Sequence, residues 1–137
     1  MQVTELSTQR LKITPDNESA SPLLGIATGV SAGGFPAQKM SALARNGGLL
    51  IRDRRSTPWN VQQLVELHGE LFLCGPYVEG ETIAEFLARD SGETERSAMS
   101  TALFNALGHV VEHESHILCN VGTSLWTTNG EILLLEI

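Results

Sequence analysis

The sequence predicts a small α+β protein, a mostly antiparallel sheet with packed helices. Three observations carry this. Short apolar runs bounded by Gly, Pro and Asn recur along the chain; two late stretches hold apolar residues three and four apart; and Asn129-Gly130 sits between two apolar runs. The 137 residues suit one modest core, so the expectation is a single α+β domain over 1–137. An apolar fraction of 42% with 18% charged residues excludes a disordered chain or a coiled coil.

Leu11–Thr14 reads as a short strand, and Pro15-Asp16-Asn17 supplies a turn. LLGIATGVSAGGF, from Leu23, reads as a strand running into a Gly-rich turn. Ala37–Ala44 is a short helix, entered through Pro36 and stopped by Asn46-Gly47-Gly48. Leu49–Arg52 is a strand. Thr57-Pro58 opens a helix, with Trp59, Val61, Leu64, Val65 and Leu67 as its stripe and Gly69 as its end. Glu70–Cys74 is a strand stopped by Gly75-Pro76.

Thr82 and Glu85 form a capping box, and the helix they open carries Ile83, Phe86 and Leu87 on one side. The longest helix runs from Thr94 to His113, burying Met99, Leu103, Ala106, Leu107, Val110 and Val111. Ser124–Thr127 and Glu131–Ile137 form a hairpin in which Asn129 and Gly130 both take positive φ. The chain stops inside the apolar run LLLEI, and the expectation is the N-terminal part of a longer protein.

The net charge is −7 and it is uneven. Residues 1–70 carry seven basic and six acidic side chains; residues 71–137 carry two and ten. Such a field opposes nucleic acid and anionic lipid. Arg52, Arg54 and Arg55, interrupted by Asp53, are the one dense basic cluster. They read as a solvated strand end or as a contact for a phosphate or an acidic partner. Cys74 and Cys119 sit in apolar runs and read as buried reduced thiols of a cytoplasmic protein, with a single disulfide as the alternative. The N-terminus has neither the basic nor the apolar region of a signal peptide, and no apolar run reaches 18 residues.

His109-Val-Val-Glu112-His113 is the sharpest chemical pattern. On a helix, His109 and His113 share a face and could bind Zn²⁺, with Glu112 as general base on a metal-bound water. A third ligand would have to come from His116, Glu114 or Glu131. The other reading is a helix end whose histidines favour the negative end of the dipole. GVSAGGF fits neither phosphate-loop pattern, and Ser31, Ser124, Cys74 and Cys119 have no nucleophile motif around them.

LFLCGPYVEGETIAEFLA resembles the fifth strand, hinge and following helix of a protein-kinase-like fold. VVEHESHIL resembles the end of the next helix, and SLWTTNGEILLLEI the hairpin after the catalytic loop. The resemblance covers residues 70–137 and implies a truncated kinase-like fold. It also implies loss of activity. Val121 stands at the position of the catalytic base, Trp126 at that of the magnesium-binding Asn, and Glu136-Ile137 in place of Asp-Phe. Arg52 is the best stand-in for the strand lysine. Phosphoryl transfer needs these groups together.

The expected function is therefore a non-catalytic, pseudokinase-like interaction or regulatory domain, with no catalytic residue and no cofactor. The alternative is a small zinc-dependent hydrolase built on His109, Glu112 and His113. The expected partner is another protein or the rest of the parent chain, with a homodimer as an option. Nucleic acid and membrane are not expected partners. The contact surface is placed on Ile132, Leu133, Leu134 and Leu135, since a continuously apolar strand at a sheet edge invites another chain.

Overall fold

The short apolar runs fold as strands and the periodic stretches as helices. The structure, a computed structural model, describes residues 1–17, 19–31, 37–118 and 120–137. In chain order the elements are β1 (Gln2–Glu5), β2 (Arg10–Thr14), β3 (Leu23–Ser31), α1 (Ala37–Asn46), β4 (Gly48–Arg52), β5 (Arg55–Trp59), β6 (Gln63–Leu67), β7 (Glu70–Pro76), β8 (Gly80–Thr82), α2 (Ile83–Ala88), α3 (Glu93–Glu112), β9 (Leu125–Thr127) and β10 (Ile132–Leu135). All strand pairings among them are antiparallel, and the fold is α+β. The chain forms two compact units, 1–47 with 60–78, and 48–59 with 79–137.

The first unit holds a sheet ordered β1-β2-β3-β7-β6. Strand alternation sends Leu11, Ile13, Ala27, Phe72 and Cys74 to one face, where they cluster with Val3, Leu23, Val65 and Leu67. Leu24, Ile26 and Leu73, on the opposite face, are also fully buried.

The helix expected from Thr57-Pro58 is not formed: β5 and β6 occupy those residues. Pro58 lies on β5, the edge strand of its sheet, where a missing N–H leaves no ladder bond unmade. Leu64, Val65 and Leu67 form a strand because His68-Gly69 closes a tight hairpin onto β7, with Leu67 opposite Glu70. Both turn residues have positive φ, 52° and 77°, as a two-residue type I′ turn requires.

The second unit holds a sheet ordered β5-β4-β10-β9-β8. α3 packs on it through Ala106 and Val110 against Ile51, Ile132 and Leu134. β10 is therefore central, paired with β4 on one side and β9 on the other. Ile132, Leu133, Leu134 and Leu135 are between 0 and 2% exposed. They are buried rather than forming the expected contact surface: β10 is an inner strand, and Ile132 and Leu134 pack under α3.

The capping box is present: Glu85 N donates to Thr82 Oγ1 (3.0 Å) and Thr82 N to Glu85 Oε1 (3.2 Å). Ile83 and Phe86 are buried, but Leu87 faces solvent. The buried stripe of α3 is Met99, Ala106, His109 and Val110. Leu107 and Val111 lie on its outward flank instead. The β9–β10 hairpin forms with a three-residue loop in which only Gly130 has positive φ, 82°. Asn129 does not share it, since Gly130 alone occupies the left-handed position that follows the turn in this loop class.

Candidate functional site

The segment from the end of α3 to the start of β9 joins the residues that would carry chemistry on either expectation. α3 ends with a left-handed residue, Glu114 at φ 52°. Glu114 N donates to Val111 O and Ser115 N to Val110 O, so a Schellman arrangement is made without glycine. The chain then docks beside β10: Leu118 N donates to Leu135 O (2.8 Å) and Ile137 N to His116 O (3.0 Å).

Asn120 organises the turn that leads into β9. Its Oδ1 accepts from Gly122 N (2.8 Å), and its carbonyl accepts from Thr123 N and Ser124 N. Val121 O and Ser124 O accept from Ala84 N and Ile83 N, both at 2.9 Å. With the capping box, these bonds satisfy the first amides of α2, so that helix end offers nothing to an anion. Thr123 and Ser124 are buried. Residues 115–124 contain no carboxylate. The side chain at the expected base position, Val121, is half exposed and inert, and Trp126 packs on the α3 core.

His109 and His113 do come together. Their rings stack with centroids 4.0 Å apart and planes at 25°. His113 Nδ1 lies 2.9 Å from His109 O, leaving only Nε2 for any ligand. His109 is 6% exposed and its Nδ1 has no partner. Glu112 and His116 are exposed. Among the described residues, no three His, Cys, Asp or Glu side chains converge as a metal site would require. The burial of His109 is readable from spacing: it lies three residues past Ala106, on the face that α3 turns inward.

Cys74 is a buried free thiol on β7, between β3 and β6, and burial pushes its pKa up to about 12. The thiolate a nucleophile needs is thus suppressed. Cys119 and the Gly-rich run at Gly33-Gly34 lie outside the described residues. In the first unit, a cavity of about 240 Å³ is lined by Ile13, Pro15, Leu23, Gln62 and Gln63 among others. That is below the range of about 300–1,000 Å³ usual for small-molecule sites.

Two features have no counterpart among the sequence expectations. Arg89, at the C-terminal end of α2, donates from Nε and Nη2 to Glu81 of β8 and from Nη1 to Glu95, tying β8 to the start of α3. Its guanidinium also lies over the Phe86 ring. The second is the outward face of α3, where Phe104 and Val111 are 77% and 76% exposed beside the partly exposed Leu107. The spacing of three and four that marks a buried stripe here runs onto both sides of the helix.

Comparison with known proteins finds no matching family model, no matching curated protein and no matching solved structure. No helix among the described residues is long and apolar enough to cross a membrane.

Proposed function

We propose that this chain is a non-catalytic protein-interaction or regulatory module, pseudokinase-like over residues 70–137. One observation carries the reading: the segment 115–124 has no carboxylate and uses its carbonyls to close its own turn and cap α2. Phosphoryl transfer of the kinase type uses a catalytic-loop carboxylate as its base, and this segment contains none. The pseudokinase-like part of the reading rests on the sequence resemblance over residues 70–137. The exposed Phe104, Leu107 and Val111 suit a chain that works by contact. The free Cys74 fits a reducing cytoplasm.

The second reading, a zinc hydrolase on His109, Glu112 and His113, draws on the unpartnered Nδ1 of His109. The stacked rings and the missing third ligand weigh against it. Two assays on protein purified without chelator decide between them. The proposal expects no stoichiometric zinc and no release of phosphate from Mg-ATP. One zinc per chain would establish the second reading, and steady ATP turnover would overturn both.

A further inference from the structure

We propose that the tip of the β4–β5 hairpin binds a phosphoryl group carried by a partner polypeptide, through Arg52, Arg54 and Arg55. β4 and β5 are joined by the two-residue turn Asp53-Arg54, which sets Arg52 directly opposite Arg55. Ile51 is buried on the face that meets α3, so strand alternation turns Arg52 and Arg55 together to the other face. Directly opposed residues hold their Cβ atoms about 4.5–5.5 Å apart. Arg54 extends from the turn beside them. All three side chains are exposed. The ion pairs among the described residues include none of the three arginines and not Asp53.

This arrangement works against the hairpin. Like charges directly opposite destabilise a sheet, and the turn holds Asp53 at a positive φ of 56°. The chain has 16 acidic residues to 9 basic ones, yet three guanidiniums are gathered here with Asp53 as the one carboxylate among them. An anion bound between them removes the repulsion.

The charge of the rest of the unit selects the kind of anion. Residues 79–137 carry ten acidic and two basic side chains, a field that repels an extended polyanion such as RNA or an anionic bilayer. A phosphoryl group concentrates about −1.5 to −2 charges at one point, and the arginine fork matches its oxygens in pairs. A convex tip encloses no small metabolite. The adjacent β5, however, is an edge strand exposed from Arg55 to Pro58, and an extended peptide can lie along it. The inference does not depend on the pseudokinase-like reading.

The test is an NMR titration of the full chain with four probes: a peptide neutral but for one phosphoserine, its unphosphorylated form, inorganic phosphate, and phosphatidylcholine vesicles containing phosphatidylserine. The phosphopeptide is expected to shift the amides of residues 51–57, and the unphosphorylated peptide to leave them in place. Arg52→Gln with Arg55→Gln should weaken binding about fivefold or more without lowering Tm. No shift at millimolar phosphopeptide, or a shift unchanged by the double variant, would overturn the site. Equal binding of inorganic phosphate, or tighter binding of the vesicles, would overturn the assignment to a partner polypeptide.

Discussion

The imidazole of His113 lies flat against that of His109, one helical turn away, with ring centroids 4.0 Å apart. The inner ring is buried and its Nδ1 is unpaired. An unsatisfied buried polar atom costs about 1–3 kcal/mol, whereas an apolar side chain of similar size costs little. His109→Leu is therefore expected to leave the melting temperature unchanged or to raise it. A fall of several degrees, with zinc lost from the protein, would show that the ring holds a metal.

Gly130 has φ 82°, and a side chain there would meet open space. Strain at this position would come from the backbone alone. Gly130→Val is expected to destabilise by about 1–3 kcal/mol in urea unfolding. Asn129→Ala, at a residue without positive φ, should cost much less.

Leu134 is 2% exposed and packs with Ile51, Ala106, Val110 and Ile132. Leu134→Ala should cost about 2–5 kcal/mol, the range for deleting a buried leucine side chain. Leu134→Lys should unfold the second unit, because it buries an unpaired ammonium. A folded Lys variant with altered association would return this strand to the surface.

Arg89 holds the Glu95 carboxyl below its ordinary value of 4.5, first through the side-chain hydrogen bond. A depressed folded pKa gives stability that is present above the unfolded value and lost as pH falls through the folded one. Arg89→Gln should thus lower Tm at neutral pH and low salt. The difference from the unsubstituted protein should shrink below about pH 4.5 and in high salt, where the exposed pair is screened. A difference constant from pH 7 to pH 3 would assign the loss to packing on Phe86 instead.

The second unit is largely legible in the sequence because its signals are local. The Thr82–Glu85 box and Asn129-Gly130 each mark a boundary within four residues, and both boundaries form. The departure at residues 57–69 has a physical cause. Pro58 can open a helix or sit on an edge strand, and only the sheet order distinguishes the two. His68-Gly69 looks like a helix stop unless histidine is allowed a positive φ. The run Ile132–Leu135 reads as covered on both faces, but its neighbours β4 and β9 are set by pairing, and β4 comes from distant sequence, so its central place is not encoded locally. At the candidate site, the HxxEH spacing does bring His109 and His113 together. Their stacking depends on burial and on the hydrogen bond from His113, which spacing does not encode.

The central claim is that this chain contacts other molecules without phosphoryl-transfer machinery. The most direct measurement is a thermal-shift titration with Mg-ATP up to millimolar concentration. A ligand that binds only the folded state raises Tm by mass action. On the proposed pseudokinase-like reading, which puts Val121 and Trp126 at the positions of the base and the metal ligand, no shift is expected. A saturable stabilisation of several degrees would contradict it.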